Sequence, residues 1–378
     1  MFNQHDTLRN GYCLNGSLQR RGYDWWWHSF TARNTRTNEE VPFFVEFFVI
    51  NPKLAKDEPT LGQAKENKEK HIRPSYLMVK CGAWTKGHKV QLHRFFSLKD
   101  VAIKRGRDFA ISAKDCFASE TQIMGRVDVS EDMVKQHPEM MCDAGSMVFN
   151  LTINKQITFN VGYGANTFFR AIKAFQMYWH AEGMKSEYEG TVVLNGETYK
   201  VSKDNCYGYA DKNWGRGFTS PWVWLASSNL KSNIDGKQLL NSAFDIGGGR
   251  PKIYFIPLNR KLLGCFYYEG EEIDLNFAKF WTKPKQRFSF KEDDEKVYWH
   301  VEMENKDYLF IVEVNCKKED MLLVNYEDPD GNKFHNRLFN GGNGIGNIKL
   351  YKKIKKNNVL IDDISVTHIG CEYGEYDK

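Results

Sequence analysis

Short apolar segments separated by polar turns fill most of the chain, and few stretches carry a helical period. Residues 42–50 (PFFVEFFVI) are apolar at every position but Glu46, the pattern of a strand covered on both faces. Residues 191–194 and 197–201 flank Asn195-Gly196. Both central residues of a type I′ turn need positive φ, so this pair predicts a tight hairpin. Residues 252–258 and 262–268 read as strands around Asn259-Arg260-Lys261, and 287–291, 296–304 and 308–315 read as a meander. Further strands are predicted at 348–352 and 359–368. Helical spacing is confined to two places: residues 166–179, behind an Asn166 cap, and residues 130–137, stopped by Pro138. The polar, lysine-rich stretch 53–73 reads as a mobile surface loop. The glycine-rich pieces 247–249 and 341–346 lack the strand–helix context of a nucleotide site and read as turns or bulges. The pattern as a whole predicts an all-β barrel or sandwich architecture.

Composition refines this picture. A chain of 378 residues has room for two domains, and 41% hydrophobic residues exclude wholesale disorder. The 14% aromatic share favours strands and pockets for apolar ligands. A net charge of +5 is a weak bias, and no basic stripe interleaves with aromatics, so nucleic-acid binding is not expected. The basic run 349–356 reads as a solvated edge that guards against strand pairing. Eight scattered cysteines form no metal-ligand spacing, so neither a metal nor another cofactor is expected. With no signal-like N-terminus they are expected to be free thiols in a cytoplasmic protein, which makes the sequons at Asn15 and Asn150 chance matches. No apolar run is long enough for membrane insertion.

Candidate chemistry concentrates at residues 207–227, YGYADKNWGRGFTSPWVWLAS. Charged and amide groups set among so many aromatics must be paired when buried. Asp211 reads in two ways. In a poorly hydrated aromatic pocket its pKa rises and it becomes a proton donor, with Trp214, Trp222 and Trp224 offering their faces to a carbocation. Paired with Lys212 or Arg216 it would be a structural carboxylate. Tyr209, Lys212, Asn213, Trp214, Trp222 and Trp224 are the candidate ligand-binding residues. His180 reads as a proton shuttle or a satisfied core histidine, and Glu46 as a second buried acid or an edge residue. Glu302 and Glu304, on one strand face, are either solvent-exposed or the carboxylate pair of a carbohydrate-active β-sandwich enzyme.

The segment Asp211-Lys-Asn-Trp-Gly215 resembles the corresponding motif of the tocopherol cyclase-like proteins, which are related to carotenoid 1,2-hydratases and lipocalin-like pericyclases. Phe175-Gln-Met-Tyr-Trp-His-Ala-Glu-Gly183, Tyr23-Asp-Trp-Trp-Trp27 and Glu372-Tyr-Gly374 are similar too. The resemblance implies two lipocalin-like β-barrel domains with few short helices, 1–228 and 229–378, with the Asp211 segment at their junction. It adds Trp27 and Glu372 to the candidate ligand-binding set. It implies an acid-catalysed cyclase, hydratase or isomerase for an apolar, unsaturated isoprenoid or polyene substrate, working without a cofactor. The alternatives are a non-catalytic binding protein for an apolar ligand and, less close to the resemblance, the carbohydrate-active enzyme.

Overall fold

The run 42–50 is apolar throughout because two different cores cover it. In the strand Glu40–Ile50, Phe43, Val45, Phe47 and Val49 enter one core, whereas Phe44, Phe48 and Ile50 enter another. Successive side chains leave a strand on opposite faces, so both sides of this one are dry. The computed structural model describes residues 9–159, 175–250, 252–253, 256–257, 259–277, 280–334 and 337–375. Within them, an antiparallel sheet of twelve strands runs from Tyr23–Asn34 to Gly208–Gly215. It curls until its far parts meet: Asp143 N donates to Gln91 O at 2.8 Å, and Arg94 Nη1 to Arg126 O at 2.6 Å. A second sheet, of eleven strands between Trp222–Ser227 and Asn357–Glu375, also closes on itself. There Leu262 N donates to Gln286 Oε1 at 2.8 Å and Asn305 Nδ2 to Asp274 O at 3.1 Å. Each barrel has its own filling, Phe47, Val79 and Phe149 in the first, Phe244, Phe266 and Phe310 in the second. The fold is all-β, two lipocalin-like barrels with few short helices.

A third core lies between the barrels, where Trp27, Phe44, Phe48 and Trp179 of the first meet Trp224, Tyr326 and Leu338 of the second. Glycines make room for its rings. A Cβ on Gly247 would stand 2.9 Å from Trp179, and one on Gly342 would stand 2.3 Å from Trp84. The glycine-rich pieces are therefore mostly strand interior and not turns: Gly247–Gly249 end the strand Ala243–Gly249, and residues 341–346 lie in Arg337–Ile354, with register shifts among them. Gly247→Ala is expected to cost about 1–3 kcal/mol, the usual penalty for overfilling a packed core; urea unfolding and tryptophan fluorescence report it.

Local expectations fare unevenly. Asn195 and Gly196 have φ of 49° and 86°, as a type I′ hairpin requires. Ser130 Oγ accepts from Met133 N at 3.1 Å and caps the helix Glu131–Gln136. Residues 166–174 of the other expected helix lie outside the described residues, and its end enters the strand Met177–Leu194. Residues 252–258 give two short pieces, Lys252–Ile253 and Ile256–Pro257, instead of one strand. The stretch 53–73 is a strap docked on the second barrel. The Glu327 carboxylate accepts from Gly62 N at 3.1 Å and from Gln63 N, and Gln63 Nε2 donates to Gly331 O at 2.7 Å. Its polarity serves these bonds, which composition alone does not reveal. All eight cysteines are free thiols. No helix among the described residues is long and apolar enough to cross a membrane.

Candidate functional site

Strand alternation divides the 207–227 region between two environments. In Gly208–Gly215, Tyr209, Asp211 and Asn213 face the core between the barrels, while Ala210, Lys212 and Trp214 face the inside of the first barrel. Asp211 and Lys212 therefore point apart. Lys212 Nζ pairs with Asp24, both side chains fully buried, and lies 3.8 Å from the centroid of the Trp26 ring. Asp24 also accepts from Cys13 N at 2.6 Å. Burial still raises the Asp24 pKa, to about 6, against the pull of Lys212. This corrects the expectation of an Asp211–Lys212 ion pair.

Asp211 is held by neutral donors from both neighbouring strands. Trp179 Nε1 donates to Oδ2 at 3.0 Å, Trp25 Nε1 to Oδ1 at 3.3 Å, and Tyr209 Oη lies 3.3 Å from Oδ2. Burial pushes its pKa up to about 8; the two indole hydrogen bonds lower it by less, and Glu372 and Glu182 add to the rise. Asp245, on the facing strand of the second barrel, lies 3.0 Å from the same Tyr209 hydroxyl, and burial drives its pKa well above the ordinary range. Trp224 Nε1 donates to Tyr209 Oη at 3.2 Å. Asn213 Oδ1 accepts from Tyr23 Oη at 2.7 Å.

Asp211 opens on a narrow cleft lined by Trp25, Trp27, Trp222, Trp224, Tyr326, Asn340 and Glu372. Five aromatic side chains wall it. Glu372 accepts from Trp222 Nε1 at 2.5 Å and from Asn340 Nδ2 at 3.2 Å, and burial pushes its pKa to about 7. Behind Tyr326, Lys80 Nζ lies 3.4 Å from both Glu46 Oε2 and the Tyr326 ring centroid, and Tyr326 Oη donates to Glu46 at 3.0 Å. Glu46 is raised by burial but carries a cation, and burial lowers Lys80 to about 8.

The structure thus brings together Asp211, Tyr209, Asn213, Trp27, Trp222, Trp224 and Glu372, with Glu46 one layer behind. It takes three candidates elsewhere. Lys212 and Trp214 face the first barrel's interior, where Trp214 stacks on Tyr178 at 5.4 Å. His180 is there too, bonded to Asn10 Oδ1 at 2.8 Å, and burial depresses its pKa to about 3. Glu302 and Glu304 form no cleft pair: Glu302 meets His300 and Arg287, and Glu304 meets Lys285 and Lys353. Sequence reasoning missed Trp25, Trp179, Asp245, Tyr326 and Asn340. The signal for Asp245 was the one that flagged Glu46, a lone carboxyl within an apolar strand.

Two closed antiparallel sheets with buried carboxyl groups and indoles between them define a class of two-barrel proteins with an interdomain cleft. The chain belongs to the tocopherol cyclase-like family, whose model matches residues 143–375, well over half of it. No curated protein sequence matches it. Similar solved structures include CghA with Sch210972, at 9% identity over 95% of this chain and 90% of that one, TM-score 0.48. Kievitone hydratase from Nectria haematococca is 11% identical over 97% and 94%, TM-score 0.46. A protein assigned as AttH from Nitrosomonas europaea is 9% identical over 98% and 96%, TM-score 0.45.

Proposed function

We propose that the protein is an acid-catalysed cyclase, hydratase or isomerase that acts on an apolar, unsaturated substrate of isoprenoid or polyene type in the cleft at Asp211. One observation carries the reading: Asp211 is a buried carboxyl at an aromatic cleft, fixed by indole and phenol donors, with no cation among the groups that shift it most. A pKa near 8 keeps it protonated at neutral pH, as a general acid requires. Family membership supports the same reading. In the step envisaged, Asp211 transfers its proton to an alkene carbon. The cation forms against the faces of Trp25, Trp27, Trp222 and Trp224. A hydroxyl of the substrate or a water then adds and releases a proton, or a neighbouring C–H bond gives up its proton to restore a double bond. The ionised Asp211 keeps its three donors, so the charge it acquires is already accommodated.

The test is turnover in D₂O with a panel of terpenoid alkenes, with and without an internal hydroxyl. One deuterium at the protonated carbon is expected. A panel recovered unchanged, together with an apolar ligand retained in native mass spectrometry, would instead identify a binding protein. For any substrate that turns over, kcat/KM is expected to be flat at neutral pH. It should fall tenfold per unit as pH rises past about 8, because the free enzyme then loses its acid.

A further inference from the structure

Tyr209 has one hydroxyl hydrogen and two carboxyl groups to give it to. Its oxygen lies 3.0 Å from Asp245 Oδ2 and 3.3 Å from Asp211 Oδ2, and Trp224 Nε1 donates to it from a third side. Asp245 comes from the other barrel. It sits in the strand Ala243–Gly249, opposite Ala226 and Cys265, and is fully buried. Two carboxylates bridged by one hydroxyl in a dry site cannot both be charged, so one of them keeps a proton. Asp211 has two indole donors within 3.3 Å to support a charge, whereas Asp245 has the shared hydroxyl, with smaller help from Trp224 and the Ile246 N–H. Asp245 is therefore the one that stays protonated. Its hydrogen points to Tyr209 Oη, which in turn points its own to Asp211 Oδ2. That oxygen already accepts from Trp179, so the transferable proton of Asp211 is left on Oδ1, beside Trp25.

We infer that Asp245 is the proton reserve of the site, supplying Asp211 through the hydroxyl of Tyr209. The inference rests on the acid reading of Asp211 given above. Once Asp211 has protonated a substrate carbon, the hydrogen on Asp245 passes to Tyr209 Oη as the hydrogen of Tyr209 passes to Asp211 Oδ2. Tyrosine is neutral before and after, and one carboxyl exchanges its charge with the other; a turn of the Asp211 carboxyl about its Cβ–Cγ bond then brings the delivered hydrogen to the position beside Trp25. Asp245 is the weaker acid of the two, so this exchange runs uphill and is completed when Asp245 takes a proton back from solvent, to which the capturing hydroxyl or water has released one. A second, more polar cleft, lined by Tyr209, Trp224 and Ala226 together with Ser29, Ser227 and His368, reaches the relay at Tyr209 and at Ala226, the residue opposite Asp245; neither carboxyl lines it. Water in that cleft meets the relay at the tyrosine, whereas the aromatic cleft meets it at Asp211. Glu372, Glu182 (itself paired with Lys155), Tyr23, Tyr188 and Tyr326 also act on Asp211, and Cys265 lies opposite Asp245.

Infrared titration of the protonated-carboxyl band tests this without any substrate, on the full chain and on its Asp211→Asn, Asp245→Asn and Tyr209→Phe variants. Removing either carboxyl should delete one component and shift the titration of the other by about one pH unit or more, the mark of interacting sites. Tyr209→Phe should also shift both. An Asp211 band that titrates identically with and without Asp245 and the Tyr209 hydroxyl overturns the inference, even in an active protein. With a substrate from the panel, Asp245→Asn and Tyr209→Phe should each slow steady turnover roughly tenfold or more. They should spare the first turnover, and the double variant should be no slower than either single one. Undiminished steady turnover in Asp245→Asn also overturns it. If the wild type turns nothing over, the acid reading fails, and the relay fails with it even where infrared coupling persists.

Discussion

Replacing Asp211 by asparagine is expected to lower turnover by a factor of about 10²–10⁴, the range in which a positioned general acid contributes. The fold should remain intact. Asparagine has the same shape, and its carbonyl oxygen keeps one of the two indole donors, Trp25 at the Oδ1 position or Trp179 at the Oδ2 position, so retention of ligand in native mass spectrometry should persist while deuterium incorporation stops. Stability should move in the opposite direction to activity, with a defined pH dependence. The folded-state pKa of Asp211, about 8, stands above its ordinary 3.8. Below about pH 4 the residue is neutral in both the folded and unfolded chains. As pH rises the unfolded chain ionises first, and the wild type loses stability until the folded carboxyl also ionises near pH 8. Asp211→Asn lacks that slope, so its advantage in urea midpoint should grow from mildly acid pH towards pH 8 and then level off. A variant that is inactive because it is unfolded would assign Asp211 a structural role.

The second large effect belongs to the residue next door. Lys212→Met is expected to destabilise the protein by about 3–5 kcal/mol, because it leaves Asp24 charged, buried and without its counterion. Adding Asp24→Asn should recover much of the loss, since a neutral pair of similar volume avoids the desolvation penalty that both charges now bear. The pH dependence gives a further check. Asp24 already titrates near 6 with Lys212 present, and higher without it, so the cost in Lys212→Met should shrink as acid protonates Asp24. Denaturant unfolding of the two single variants and the double variant measures all of this. A loss in the double variant equal to that in Lys212→Met would show that methionine, and not the orphaned carboxylate, is at fault.

Adjacent residues with unrelated duties show how far a strand can be read from sequence. Alternation is local, and the pairing of Asn195 with Gly196 and the apolar run at 42–50 follow from neighbouring residues alone. The same alternation separates Asp211 from Lys212, yet without knowing that both faces of Gly208–Gly215 are buried, an ion pair between them is the natural reading of two opposite charges. The donors to Asp211 come from positions 25 and 179, brought in by the ladders of Gly208–Gly215 with its two neighbours. Nothing within either segment marks its indole as a partner. Asp245 was harder still, because the glycines after it imitate a turn, whereas Gly247 admits a ring from the other barrel and Gly248 and Gly249 lie close against backbone carbonyls. The strap at 53–73 hid for a related reason: its bonds run to backbone and carboxyl groups some 265 residues away in sequence, and a polar segment looks the same docked or loose.

The seat of Trp179 on Gly247 links mechanics to acidity. The indole that rests on that glycine is also the nearest donor to Asp211. A methyl group added to the second barrel would push the ring aside and weaken its grip on the carboxylate in the first, raising the energy of the ionised form at a residue it never touches. In such a site steric mutations and electrostatic mutations are not separate categories, and the fit between the two barrels itself acts as a tuning screw on proton affinity.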